Sequence, residues 1–230
     1  MENKHEILLG LTTTRASNYR KKVEEMKKFG IKRIALFPTF LGVKQRKELY
    51  DLLDTVEGLE LPHVHLREQD TEKWEMEWFE KHGTITYNIH MNTPVLYESL
   101  QPFKHKIYVE NHIRKSIPFE KFDAYAGICV DFQHWEYAKK VNPDVAEKTK
   151  EQVNRFPIGC CHMSALPKWK NFLFRLVKCV GGHYMISLDE MDYIKNYSEY
   201  FPKLMSIELE NSFEQQLKIK KYLEQIINNQ

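Results

Sequence analysis

No apolar run in this chain approaches the ~18 or more residues that a membrane-spanning helix needs. The N-terminal MENKHEILLGL places an acidic residue ahead of a very short apolar run and has no small-residue cleavage pattern, so it reads as a first strand rather than a leader, and a cytoplasmic location is expected. Cysteine is scarce: Cys129, Cys160, Cys161 and Cys179 lie in or beside apolar segments without CxxC spacing, which excludes that metal or redox motif and makes them expected buried free thiols. An excess of either charge is also missing. With 34 basic against 32 acidic residues and a net charge of +2, the chain has no global field to hold a polyanion. The lysine-rich stretches from Arg20 to Lys28 and Lys218 to Lys221 sit at helical spacing among apolar residues and read as solvated helix faces. Internal repeats, low-complexity tracts and Pro/Gly/Ser linkers are lacking as well, so one domain over residues 1–230 is expected.

What is present is a steady alternation. Hydrophobic residues make up 42% and charged residues 29%, which suits a folded globular chain and is far from the composition of disorder. Strand-like apolar runs fall at Glu6 to Thr12, Lys32 to Phe37, Leu61 to Leu66, Thr84 to His90, Lys106 to Glu110, Gly127 to Asp131, Ile158 to His162 and Leu204 to Glu210. Amphipathic helices are predicted to begin near Ser17, Lys44, Thr71, Thr93, Pro118, Trp135, Pro167 and Ser212, with a further one around Met191 to Tyr197. Strand and helix in turn, eight of each, predict a single α/β domain of the (β/α)8 TIM-barrel class, slightly short of its usual ~250 residues. An open doubly wound sheet is the alternative. It usually carries a Gly-rich phosphate loop after its first strand, and Thr12-Thr13-Thr14-Arg15 is not one.

In such a barrel the site is assembled where strands end, and here polar residues end the apolar runs repeatedly. The fifth run ends Glu110-Asn111, the sixth Asp131 with His134 three residues on, the seventh His162, and the eighth contains Glu208 and Glu210. His63 and His65 share a face of the third strand, and His90 ends the fourth. Carboxylates buried together at a barrel mouth call for a compensating cation. Mixed oxygen and nitrogen donors suit manganese, zinc, iron or cobalt better than calcium.

The ordered set V-E-N, C-V-D-x-x-H, C-H-M-S and S-I-E-L-E at residues 109–111, 129–134, 161–164 and 206–210 resembles the xylose isomerase-like barrel superfamily of sugar isomerases, sugar epimerases and endonuclease IV. The resemblance implies metal binding by Glu110, Asp131, His162 and Glu208, with Glu110 and Glu208 also exchanging protons with substrate. It makes His134 a substrate contact in the epimerase pattern and a ligand in the endonuclease pattern. Two departures stand out. Where epimerases often place an arginine after the strand-seven histidine, this chain offers Lys168 and Lys170; where endonuclease IV has D-x-H, it has Gly181-Gly182-His183. His63 or His65, with His90, matches the histidines that build a multinuclear zinc site in endonuclease IV.

Plainer roles stand beside these. His63, His65 and His90 are also candidates for satisfied core histidines, His183 for a helix terminator, and Trp74 and Trp78 for outer-core packing. Strand spacing leaves Glu208 and Glu210 open as the ligand, with Glu208 favoured. The expected activity is isomerisation or epimerisation of a small sugar, sugar phosphate or related polyol. It would use a divalent metal, manganese or zinc, and no organic cofactor, with His134, Asn111 and Lys168 as substrate-binding candidates. A zinc phosphodiesterase of the endonuclease IV type, with nucleic acid as partner, is the alternative enzyme; a barrel that binds metal or ligand without catalysis is the third reading. No membrane partner is expected.

Overall fold

A computed structural model of the chain describes residues 5–14, 17–90, 98–168 and 183–228. Cys179, Lys170, Gly181 and Gly182, the helix start near Thr93 and the body of the helix expected after Pro167 lie outside the described residues. Eight parallel strands close into a barrel in sequence order: β1 (Glu6–Thr12), β2 (Arg33–Phe37), β3 (Glu60–His65), β4 (Thr86–Ile89), β5 (Ile107–Glu110), β6 (Gly127–Asp131), β7 (Ile158–Met163) and β8 (Leu204–Ile207). The (β/α)8 class expected from the alternation is the fold observed.

The helices α1 (Tyr19–Phe29), α2 (Val43–Leu53), α3 (Lys73–Lys81), α4 (Phe119–Phe122), α5 (Phe132–Val141), α6 (Pro143–Arg155) and α7 (Phe213–Asn228) surround the sheet, with 3-10 segments at Glu98–Lys106 and Leu188–Tyr200. Local chemistry sets their limits. In α1 the Asn18 side chain accepts from the Lys21 amide, Tyr19, Val23 and Met26 are buried, and Gly30 ends the helix at φ 64, a left-handed cap that glycine adopts without steric cost. One helix was expected between β6 and β7, and there are two. Pro143 takes the first position of α6 and Asn142 before it is non-helical at φ −156, because a proline ring disfavours the α region in the preceding residue.

Strand alternation divides the core. Outward residues such as Val130, Cys161 and Met205 pack with the helices in the larger cluster. Leu8, Ala35, Phe37, Cys129, Cys160 and Leu204 fill the barrel interior, with Tyr108 against them. Cys129, Cys160 and Cys161 are the buried free thiols expected.

The last strand is shorter than its apolar pattern. Pairing of β1 with β8 runs from Glu6–Leu204 to Leu8–Ser206 and stops. Beyond it Gln216 of α7 accepts from the Gly10 amide at 2.8 Å and donates to the Gly10 carbonyl at 2.9 Å. A Cβ on Gly10 would lie 1.9 Å from the Ile207 carbonyl oxygen, so the barrel closes on a residue with no side chain. Glu208 and Glu210 therefore leave the strand and sit at the mouth.

Candidate metal centre

Four strand ends bring Glu110, Asp131, His162 and Glu208 together. Asp131 and His162 are paired in register across β6 and β7, and both are fully buried. His162 Nδ1 lies 3.4 Å from Glu110 Oε2, 3.4 Å from Glu208 Oε2 and 4.0 Å from Asp131 Oδ2. Yet His162 Nδ1 and Asp131 Oδ2 have no hydrogen-bond partner among the described residues. Buried polar atoms that converge at this spacing without bonding to one another are costly unless something sits between them. Asp131, His162 and Glu208 each offer a ligand atom within 4.8 Å of the others, so this donor set fits a divalent cation.

The electrostatics agree. Burial works to raise Glu110, but the close approach of the His90, His162 and His65 rings holds it well below the usual carboxylate range. Burial likewise opposes Glu208, which the charges of His183 and His162 keep low. Burial raises Asp131, His134 opposing and the charges of Glu110 and Glu208 adding to the rise. For His162 burial favours the neutral ring, but the charges of Glu110 and Glu208 lift it to about 10. A proton on His162 thus supplies part of the positive charge that three clustered carboxylates require.

Further histidines surround Glu110. Its Oε2 is 3.1 Å from His65 Nε2 and accepts from Asn88 Nδ2 at 2.7 Å. Its Oε1 is 3.3 Å from His134 Nδ1 and 3.5 Å from His90 Nδ1. Desolvation pulls His90 down to about 4, the charge of Glu110 opposing and those of His65 and His134 adding, and its Nε2 lies 3.2 Å from His65 Nε2. His65, His90 and Glu110 form a second group with ligand atoms within 4.8 Å.

His63 takes the plainer role. It lies below this layer, with Nδ1 2.6 Å from Ser206 Oγ and Nε2 2.9 Å from Asn88 Oδ1, and so orients the side chain that holds Glu110. Asn111 is also structural in its contacts: its Oδ1 accepts from the Asp131 amide at 2.7 Å and its Nδ2 donates to the Asp131 carbonyl at 3.1 Å.

A cavity of about 270 Å³ opens above the cluster, lined by Glu110, Glu208, His65, His90, His134 and His183 on one side and by Thr39, Phe40 and Leu66 to Gln69 on the other. Glu210 is not among its lining residues. Its carboxylate accepts from Ser17 Oγ at 2.8 Å and from Thr14 Oγ1, which leaves Glu208 as the eighth-strand residue at the site. Lys168 is not brought there either; it pairs with Asp189 at 3.0 Å and Asp192 at 3.4 Å. Trp78 stacks on Tyr50 at 4.4 Å, and Trp74 and Trp78 pack against the core, away from the cavity.

The strand-end pattern in the sequence does not single out Asn88. Asn88 is two residues before His90 on the same strand face, a spacing that could have found it. Ser164, the last residue of the C-H-M-S motif, follows β7, and its Oγ donates to the Glu208 carbonyl at 3.2 Å.

No family model matches the sequence, and no curated protein matches it. Solved structures do. The fold resembles that of a xylose isomerase domain protein from Alicyclobacillus acidocaldarius subsp. acidocaldarius, with a TM-score of 0.54 at 12% identity over 97% of this chain and 98% of that one. Dihydropteroate synthase from Thermus thermophilus aligns with a TM-score of 0.49 at 12% identity over 96% and 95% of the two chains. The 3-keto-D-glucoside 4-epimerase from E. coli gives 0.46 at 10% identity over 96% and 99%. The chain shares the (β/α)8 barrel fold of the xylose isomerase domain protein.

Proposed function

We propose that this chain is a divalent-metal-dependent isomerase or epimerase of a small sugar, sugar phosphate or related polyol. The observation that carries the reading is a division within the ligand set. Glu110 and Glu208 reach the cavity, whereas Asp131 and His162 lie beneath its floor. Two members can meet substrate while the other two serve only to bind the ion. Manganese or zinc suits the oxygen and nitrogen donors of Glu110, Asp131, His162 and Glu208. When bound, the ion supplies a Lewis acid that holds adjacent substrate oxygens and acidifies the carbon-bound proton.

The chain's own residues do the rest. Both glutamates are held ionised, so either can accept a proton from the substrate carbon and, once protonated, return it; return from the opposite face would require the other glutamate first to take up a proton from solvent. Asn88 and His65 fix Glu110. His134, at the rim, is positioned to contact substrate, and no organic cofactor is required.

The test is exchange of the substrate's carbon-bound proton with solvent, followed by NMR in deuterated water across a panel of aldoses, ketoses and their phosphates. Glu208→Gln should cut exchange by a factor of about 100 or more, with a much smaller effect on binding. The same loss in Glu210→Gln, with Glu208→Gln active, would sink the assignment.

A second reading rests on Glu110 itself, each of whose oxygens faces two histidines, so that His65, His90 and Glu110 could hold a further cation beside the first group. That arrangement favours a zinc phosphodiesterase of the endonuclease IV type, where metals hold both the attacking and leaving oxygens. Elemental analysis separates the two. The isomerase reading expects about one metal per chain, little changed in His90→Ala. Two or more zinc ions, with cleavage of abasic DNA that His90→Ala abolishes, would replace it.

A further inference from the structure

The cavity has one Lys or Arg among its described lining residues, Arg67, in the turn that follows β3. Its guanidinium is held from behind. Nε donates to Asp70 Oδ1 at 2.7 Å and Nη2 to Asp70 Oδ2 at 3.0 Å, while Nη1 donates to the Thr39 carbonyl. A guanidinium has five N–H donors. These three bonds leave one N–H on Nη1 and one on Nη2 without a partner among the described residues, donors suited to the oxygens of a carboxylate or phosphate.

Asp70 does not need Arg67 for its own satisfaction, because it also accepts from the buried Arg46 at 3.3 Å, and Arg46 is anchored to Glu75 at 2.6 Å. Burial opposes the ionisation of Asp70, but the hydrogen bond from Arg67 and the charges of Arg46 and Arg67 keep it ionised. The nearby carboxylate of Glu68 is buried, and after desolvation its charge is what raises the Tyr125 phenol. The chain thus braces one guanidinium through three bonds, with two donors unpartnered among the described residues, in the wall of the cavity that Glu110 and Glu208 also line.

We infer that Arg67 is the specificity-determining anchor for an anionic group, phosphate or carboxylate, on the substrate. The inference rests on reading this cavity as the substrate site, and it selects charged sugars over neutral ones. Lys168, tied to two aspartates outside the cavity, takes no part.

The test titrates inorganic phosphate, and separately D-gluconate, into the protein with and without added zinc, with binding followed by phosphorus-31 and carbon-13 NMR. At least one anion should bind the wild type and lose about tenfold or more in affinity in Arg67→Met. Arg67→Lys, which keeps the charge without the fork, should recover part of it. Whichever anion loses more names the class. Metal content should stay unchanged in both variants, and circular dichroism should show the fold retained. Equal anion binding in wild type and Arg67→Met, absence of binding to the wild type, or loss of metal along with the anion would each overturn the assignment. A protein that takes up no zinc yet shows the Arg67 dependence would instead defeat the metal reading and leave this one standing.

Discussion

At the residue scale, the feature that matters most is that Asp131 Oδ2 and His162 Nδ1, at the centre of the cluster, are two of four buried side-chain atoms with no hydrogen-bond partner among the described residues. Asp131→Ala and His162→Ala should each lose most bound metal while circular dichroism shows the fold retained; full metal content in either would remove the centre as drawn. His162 also sets a pH dependence. Its pKa of about 10 lies above the ordinary ~6.5, so the metal-free folded chain keeps a proton that the unfolded chain releases. That contribution to stability is complete below pH ~6.5 and is lost as pH rises through about 10. A metal ion must displace this proton. Uptake near pH 7 should therefore release about one proton from this group, seen as a buffer-dependent enthalpy in calorimetry, and metal affinity should rise with pH. A buffer-independent enthalpy would contradict a protonated His162.

At the element scale, α2 and α3 are joined by an ion pair sealed from water. Arg46 and Glu75 have side chains 1% and 0% exposed, with Nε 2.6 Å from Oε1, and Nη2 and the Tyr50 hydroxyl complete the network on the same carboxylate. Removing one member leaves the other charge buried. Glu75→Ala should cost about 3–5 kcal/mol in urea unfolding, far more than loss of an exposed pair such as Lys47–Asp51. The helix periods of α2 and α3 were readable from the chain; that Arg46 faces inward to meet Glu75 was not, because an isolated arginine in a helix reads as solvated surface. The same limit affected β8. Its apolar and polar alternation continues to Glu210, but pairing ends at Ile207, since strand ends depend on which neighbour is still alongside to bond.

At the scale of the whole molecule, closure of the barrel depends on α7. Gln216 satisfies both backbone groups of Gly10 and also donates to the Leu209 carbonyl at 2.9 Å, supplying the bonds that β8 no longer offers to β1. Gln216→Leu, similar in size, should destabilise the fold by at least about 1–3 kcal/mol, with the earliest loss of amide protection along β1 and β8 in hydrogen exchange; uniform protection would show that closure does not depend on this side chain. The alternation of apolar strands with amphipathic helices was enough, by itself, to determine the eightfold architecture, because a two-residue and a 3.6-residue period each dictate a local geometry without reference to distant residues. It also marked Glu110, Asp131, His162 and Glu208 as strand-end residues, since position at the end of an apolar run is a local property. Only the tertiary structure decided which groups meet: His65 and His90 on Glu110, His63 beneath them, Glu208 in the cavity with Glu210 turned to Thr14 and Ser17, and Arg67 in the wall in place of Lys168. Those choices follow from strand register, and from where each strand stops around a closed ring. Both are set by pairing between segments far apart in the chain, and no local spacing encodes them.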